Sequence, residues 1–182
     1  TKVRMDTLDQ HLTGEVSTGA VTHKLLLGLD WSRYRRDRES GSGKDTIDAY
    51  DPVYGNGYIP ELTGEPRFNQ RQTGIYLQDQ MKIGQHWIVT AGLRHDRARS
   101  QLEGGEADKA QATTKRFGLM YAASNGWSPY ISYSESFTPV AGTTRNTPDG
   151  AVPELYKPLR GKQWEAGVKY QSADGGHMAT AS

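Results

Sequence analysis

The residues of this sequence best equipped for chemistry are His95 and Asp96, an imidazole beside a carboxylate. A general base and the group that orients it need side chains within hydrogen-bond reach of each other. The surrounding stretch Trp87–Arg97 reads as a strand, and neighbouring residues of a strand point to opposite faces, so this pair cannot act together. The remaining histidines, His11, His23, His86 and His177, show neither HxxxH spacing for a helix nor HxH spacing for a strand. Gly41-Ser42-Gly43 and Gly104-Gly105 open no phosphate-cradling or dinucleotide fingerprint. The sequence has no cysteine, which excludes disulfide frameworks and thiolate sites. Neither catalysis nor a resident cofactor is expected.

Binding chemistry is better represented. A long loop, Asp37–Asn69, carries Tyr50, Tyr54, Tyr58 and Phe68 alongside Arg67. A later one, Pro139–Arg160, carries Arg145, Tyr156 and Arg160. Such aromatic and hydrogen-bonding groups suit a ligand pocket, but they equally suit packing a loop onto its neighbours. Arg94, Asp96, Glu165 and Lys169 fall on the polar sides of strands. There they either line a path for a ligand or stiffen a wall as cross-strand charge pairs. The run Arg33–Glu39 is basic but interleaved with acids, and 22 Lys and Arg against 21 Asp and Glu leave a net charge of +1. That balance gives no field for nucleic acid.

The elements that must position these residues are strands. In Trp87–Arg97, Trp87, Val89, Ala91 and Leu93 fall on one side, and Thr90, Arg94 and Asp96 on the other, with Ile88 out of place. Similar alternation marks strands at about Met5–Ser17, Thr22–Arg36 and Gln72–Ile83, then around Phe117–Tyr121, Tyr130–Phe137 and Trp164–Tyr170, and a last one running to Ser182. Short links (Thr18–Ala20, Gly84–His86, Asn125-Gly126, Ala173–Gly176) alternate with long ones at Asp37–Asn69, Glu103–Thr113 and Pro139–Arg160. Outer-membrane barrels show that asymmetry, and Trp31, Trp87, Trp127, Trp164 and Tyr170 suit an interfacial girdle near strand ends.

Composition agrees. Only 35% of the 182 residues are hydrophobic, too few for an ordinary core, and no apolar run reaches the ~20 residues of a spanning helix. A barrel strand needs only about 9–11 residues with alternate positions apolar. A soluble β-sandwich would instead bury the apolar faces against a second sheet. The start, Thr1-Lys2-Val3-Arg4, lacks signal-peptide form, which fits an internal piece of an exported chain or an unexported one.

Four segments in order resemble the TonB-dependent siderophore receptors, particularly the hydroxamate group. They are Gln72–Gln80 (QTGIYLQDQ), Val89–Asp96 (VTAGLRHD), Ser128–Pro139 (SPYISYSESFTP), and Lys157-Pro158 through Gly161–Tyr170 (GKQWEAGVKY), with Leu25–Trp31 a weaker fifth. His95 replaces the tyrosine usual before Asp96 in that family. The resemblance implies an all-β antiparallel up-and-down meander of about eight strands, a sector of a transmembrane barrel of about 22 strands. It implies that residues 1–182 are part of the barrel domain, with the plug, the energy-coupling segment and the closing strands elsewhere in the parent. Its implied partners are a ferric siderophore, the TonB complex and outer-membrane lipid. The iron sits in the siderophore's own oxygen donors, so no metal ligands are required of the chain. The loop positions match no family motif, so Tyr50, Tyr54, Tyr58, Arg67 and Tyr156 stand as ligand contacts on their chemistry alone. Cations such as Arg35 and Arg36, at or above the outer rim, would pair with lipopolysaccharide phosphates or simply be solvated. The alternative is a self-contained eight-stranded barrel with a structural or adhesive role.

Overall fold

The computed structural model describes residues 1–43, 48, 50–52, 59–140 and 156–182. Among them are ten strands: β1 (Lys2–Thr18), β2 (Val21–Asp37), β3 (Glu39–Ser40), β4 (Thr63–Gly64), β5 (Phe68–Ile83), β6 (Trp87–Leu102), β7 (Ala107–Tyr121), β8 (Trp127–Thr138), β9 (Leu159–Gln171) and β10 (Met178–Ala181). Eight form one sheet in the order β1-β2-β5-β6-β7-β8-β9-β10, and β3 and β4 make a short separate ladder within the β2–β5 connection. Every pairing is antiparallel. β1 and β10 are edges, so the described sheet is an open sector and not a closed eight-stranded barrel. Five tight hairpin turns each hold a glycine at positive φ: Gly19, Gly84, Gly104, Gly126 and Gly175. That region is costly for residues with a Cβ.

Register decides which side chains share a face. Leu27 stands opposite Leu12 and Leu77, Leu77 opposite Leu93, and Ala91 opposite both Asp79 and Phe117. One face thereby gathers Leu8, Leu12, Leu25, Leu29, Ile75, Leu77, Leu93, Phe117 and Ile131, all exposed, with Leu12 74% and Leu77 51% accessible. Only Phe68, Ala98 and Ala112 are buried apolar side chains among the described residues. No further layer covers the sheet there, so the second sheet required by a soluble sandwich is not found among the described residues. An apolar face this extensive calls for hydrocarbon against it.

Strand length explains one departure from the sequence pattern. β2, β5 and β6 run for 17, 16 and 16 residues, whereas a bilayer crossing uses about 9–11. The surplus projects beyond the apolar band on the side of the long connections. There both faces meet water, apolar alternation stops, and the backbone ladder nonetheless continues. Most of the expected loop Glu103–Thr113 is therefore strand: β6 runs on to Leu102 and β7 starts at Ala107. The strict alternation of short and long links fails at this point. Trp31 and Trp164 likewise lie inside β2 and β9 and not at their ends. At the short-turn rim the aromatics pair as expected of a girdle, with Trp87 against Tyr121 and Trp127 against Tyr170, both at 4.9 Å between ring centroids.

Among the seams between long strands, β7–β8 has the shortest ladder. Pairing covers only Arg116–Met120 against Tyr130–Ser134. Above it, the Glu135 carboxylate accepts the Lys115 backbone N–H at 3.2 Å, and Arg160 Nη2 donates to the Gln111 carbonyl at 3.0 Å. Side chains there substitute for part of the missing ladder.

In the full-length parent, Leu77→Arg is expected to lower unfolding stability in lipid vesicles by about 2–4 kcal/mol, the cost of a cation against hydrocarbon. Gln78→Arg, one residue on and facing the other way, is expected to cost less than about 1 kcal/mol in the same denaturant titration.

Candidate functional site: the polar face and the outer rim

The polar face is organised around Arg94 on β6. Its guanidinium reaches Asp30 of β2 through Nη1 at 2.6 Å and Nη2 at 3.0 Å. The same group donates to Asp96 through Nε at 2.8 Å and Nη2 at 2.7 Å. Gln72 Nε2 of β5 adds a third donor to Asp96, at 3.0 Å. Asp96 is 2% accessible, so its charge depends on these partners. The side chain of Arg94 crosses the whole width of β5 to reach Asp30, and it can do so because Gly74 lies beneath it. A Cβ at Gly74 would collide with the guanidinium. Gly28 similarly leaves room for the Tyr76 ring lying across it. The result is a three-strand clamp tying β2, β5 and β6, lying flat against the wall.

Glu165 and Lys169 of β9 share this face but belong to a second group. Tyr130 Oη donates to Glu165 at 2.6 Å, and the Lys169 ammonium sits 5.2 Å from the Tyr130 ring centroid. Arg94, Asp96, Glu165 and Lys169 thus share one side of the sheet in two separate clusters. The partner of Arg94 that sequence reasoning missed is Asp30, 64 residues away, for which no local spacing gives a signal.

Tyr50 is fully exposed and Tyr156 exposed. Tyr54, Tyr58 and Arg145 lie outside the described residues. Arg67 forms an ion pair with Asp37 at 2.5 Å, and that hydrogen bond holds its guanidinium above the ordinary arginine range. Its backbone N–H also donates to Glu103, so Arg67 fastens the base of the loop. Phe68 is fully buried on β5, edge-on to Tyr34 with ring centroids 6.2 Å apart and 5.6 Å beneath the Arg36 guanidinium. It is a wall residue and not a loop contact. That same contact corrects the pairing of Arg35 with Arg36. As strand neighbours they face opposite ways, and Arg36 is taken up by the polar face.

The outer face above the apolar band carries a row of cations. Arg33 of β2 stands opposite Arg71 of β5, Arg71 opposite Arg99 of β6, and Arg99 opposite Lys109 of β7. Arg35 and Arg97 flank the row on the same face. Period-two spacing, Arg33-x-Arg35 and Arg97-x-Arg99, is the signal that would have located it in the sequence. At the opposite rim, Thr18 Oγ1 lies 2.9 Å from His23 Nε2, and His23 Nδ1 lies 2.7 Å from Asp79. His95 bonds Thr113 at 3.0 Å, away from Asp96 on the other face.

A single antiparallel layer with an apolar outer face, a hydrogen-bonded polar inner face and tight turns along one rim is a sector of a transmembrane β-barrel. Comparison with known proteins gives the family. The model for "TonB dependent receptor-like, beta-barrel" matches residues 2–182, and the chain belongs to that family of outer-membrane proteins. The ferrioxamine B receptor of Salmonella typhimurium is 40% identical over 96% of this chain. The ferrichrome outer membrane transporter/phage receptor of Escherichia coli is 35% identical over 95% of it. The chain spans 25% and 24% of those two receptors. Among solved structures, the ferric-catecholate import receptor Fiu of E. coli matches with TM-score 0.74 at 17% identity, over 98% of this chain and 30% of its own. BauA, the ferric preacinetobactin receptor of Acinetobacter baumannii, matches with TM-score 0.72 at 22% identity, over 93% and 26%. These two likenesses establish the fold. The family consists of receptors and transporters.

Removing Arg94 leaves two carboxylates facing each other with one amide between them. Arg94→Leu in the parent is expected to cost about 2–3 kcal/mol, below the value for a fully buried pair because water reaches a third of this side chain. The check is unfolding in detergent. A second expectation concerns the flat-lying ring: Gly28→Ala is destabilising in the same assay, and adding Tyr76→Ser recovers most of the loss.

Proposed function

We propose that the protein to which this sector belongs is an outer-membrane receptor that imports a ferric siderophore of the hydroxamate type by TonB-coupled transport. The observation carrying this reading is the likeness to the ferrioxamine B and ferrichrome receptors, which covers 96% and 95% of the chain. The remaining three quarters of the parent supply the plug that fills the barrel and the segment that meets TonB.

Within this reading the sector has three tasks. Tyr50 and Tyr156, with Tyr54 and Tyr58 of the same sequence stretch, offer a ligand aromatic and hydroxyl contacts, and Arg67 holds the base of the first loop. A siderophore already saturates its iron with its own oxygens, so recognition by such groups needs no metal ligand from the protein. The Asp30–Arg94–Asp96 clamp has two carboxylates against one guanidinium, whereas Glu165 shares its cluster with Lys169. The clamp suits a cationic group of the plug, and the polar face keeps the passage wet. The apolar band contacts outer-membrane lipid, and lipopolysaccharide meets the outer cations.

The test is growth of an iron-starved strain lacking its own hydroxamate receptors and supplied with the full-length parent. Growth on ferrioxamine B or ferrichrome that disappears with TonB is the expected result. Growth on ferric catecholates alone, or no growth with the receptor demonstrably in the membrane, overturns the reading. Tyr50→Ala and Tyr156→Ala are each expected to weaken ferric-hydroxamate binding, by up to about tenfold.

A further inference from the structure

Beyond Arg116 the wall parts. β7 and β8 pair over Arg116–Met120 against Tyr130–Ser134 and then separate, although β7 extends back to Ala107 and β8 on to Thr138. Over the same stretch β7 keeps its ladder with β6, and β8 its ladder with β9. In a strand the N–H and C=O of one residue point to one side, and those of the next to the other. The Lys115 N–H reaches the Glu135 carboxylate at 3.2 Å, and the Gln111 carbonyl accepts from Arg160 at 3.0 Å. Odd-numbered residues of β7 therefore present their backbone groups to the gap. Those of Lys109 and Thr113, and the N–H of Gln111, have no backbone partner there among the described residues. Such an edge is a template for another strand. The charge around it is one-sided. Lys109 and Lys115 project on the outer face, with Arg97 and Arg99 beside them on β6 and Arg160 across the gap. None of these is in an ion pair among the described residues. Glu135, the acid at the foot of the gap, is taken by the Tyr133 hydroxyl at 2.6 Å as well as by the Lys115 N–H. On the inner face the same stretch carries Ala110, Ala112 and Thr114, all small.

We propose that Lys109–Thr113 is a docking edge for an extended segment of another protein, laid antiparallel on β7 and carrying a carboxylate at every second position. Residues directly opposite each other in an antiparallel pair share a face. Those opposite Lys109, Gln111 and Thr113 thus bond to them through the backbone and place their side chains among the cations. Asp or Glu at these positions makes charge-assisted contacts with Lys109, Arg97, Arg99 and Arg160. The intervening residues lie beside Ala110 and Ala112 on the inner face. The Gln111 carbonyl exchanges the Arg160 N–H for one from the incoming strand, and Arg160 turns to the new carboxylates. Main-chain bonds supply the affinity and the alternation of acids supplies the selectivity. A polyanion without a peptide backbone satisfies the charges alone and leaves the free amides unpaired. The site is separate from siderophore recognition and does not depend on which siderophore the parent takes.

The experiment titrates the full-length parent in detergent with a capped, fluorescent peptide of alternating Glu and Thr, read by anisotropy. The peptide is expected to bind, and an isomer with its glutamates and threonines in two blocks to bind at least about tenfold more weakly. N-methylation at the glutamates removes the N–H groups aimed at β7 and is expected to cost at least about tenfold. N-methylation at the threonines is expected to leave affinity within about threefold. Gln111→Pro deletes a donor in the gap and leaves the ladder to β6 whole, so it is expected to weaken binding at least about tenfold. Residue-resolved hydrogen exchange of the parent without peptide is expected to show rapid exchange at Lys109, Gln111 and Thr113 beside protected Ala110 and Ala112. Added peptide then protects the first three. Absence of binding overturns the proposal. So does equal binding of the block isomer or of both N-methylated forms, which reduces the edge to a patch of charge. Protection of Gln111 and Thr113 without peptide also overturns it, because the edge is then covered within the parent itself. Ferric-hydroxamate binding by the same preparations reports on the receptor reading separately.

Discussion

The structure depends on one constraint: a single layer of strands has no protein partner for its apolar face. In water, exposed Leu8, Leu12, Leu77 and Leu93 would drive the sheet to aggregate or roll up on itself. In hydrocarbon the same face is satisfied, and the lateral ladder keeps the paired backbone groups away from lipid. Everything else on the sheet follows from which side the hydrocarbon takes. The opposite face is left to polar side chains, and these lie flat. Tyr76 rests over Gly28 and Arg94 over Gly74, so the wall keeps its bulk out of the space it encloses. The Asp30–Arg94–Asp96 clamp then supplies cross-strand stiffness that a core provides in a soluble protein.

Much of this was legible in the sequence wherever one face met lipid. Trp87–Leu93 and Ile75–Ile83 alternate because hydrocarbon selects every second residue, so the strands, their faces and the shared side of Arg94, Asp96, Glu165 and Lys169 could be read directly. Legibility ended where the strands leave the bilayer. Glu103–Thr113 looks like a loop because both faces of Ala107–Thr113 are wet, although the ladder to β6 persists. Phe68 looks like a loop aromatic for the same reason, yet Arg36 and Tyr34 enclose it. Long-range pairs were invisible on principle: nothing near Arg94 announces Asp30, and nothing near Arg67 announces Asp37.

The two ends of the strands carry different chemistry. At the short-turn rim, aromatic pairs and the Thr18–His23–Asp79 chain form an uncharged or compensated border. At the other rim, cations accumulate on the outside, while on the inner face Arg36 lies over Phe68 and the Asp30–Arg94–Asp96 clamp sits further down the wall. A membrane whose two surfaces differ in phosphate content would favour that polarity. The same strands therefore encode an orientation, a lipid-facing band and an enclosed polar wall.

Because the sequence has no cysteine, single cysteines can be placed at will in an otherwise thiol-free sector. Spin labels at positions 75 to 78 and 91 to 94 of the parent in bilayers would measure collision with oxygen, which favours lipid, against collision with a water-soluble nickel chelate. A lipid-facing band on one side of the sheet gives a period of two, with oxygen dominant at 75, 77, 91 and 93 and nickel dominant at 76, 78, 92 and 94. Uniform protection at the first set from both reagents would place those side chains inside protein and contradict it.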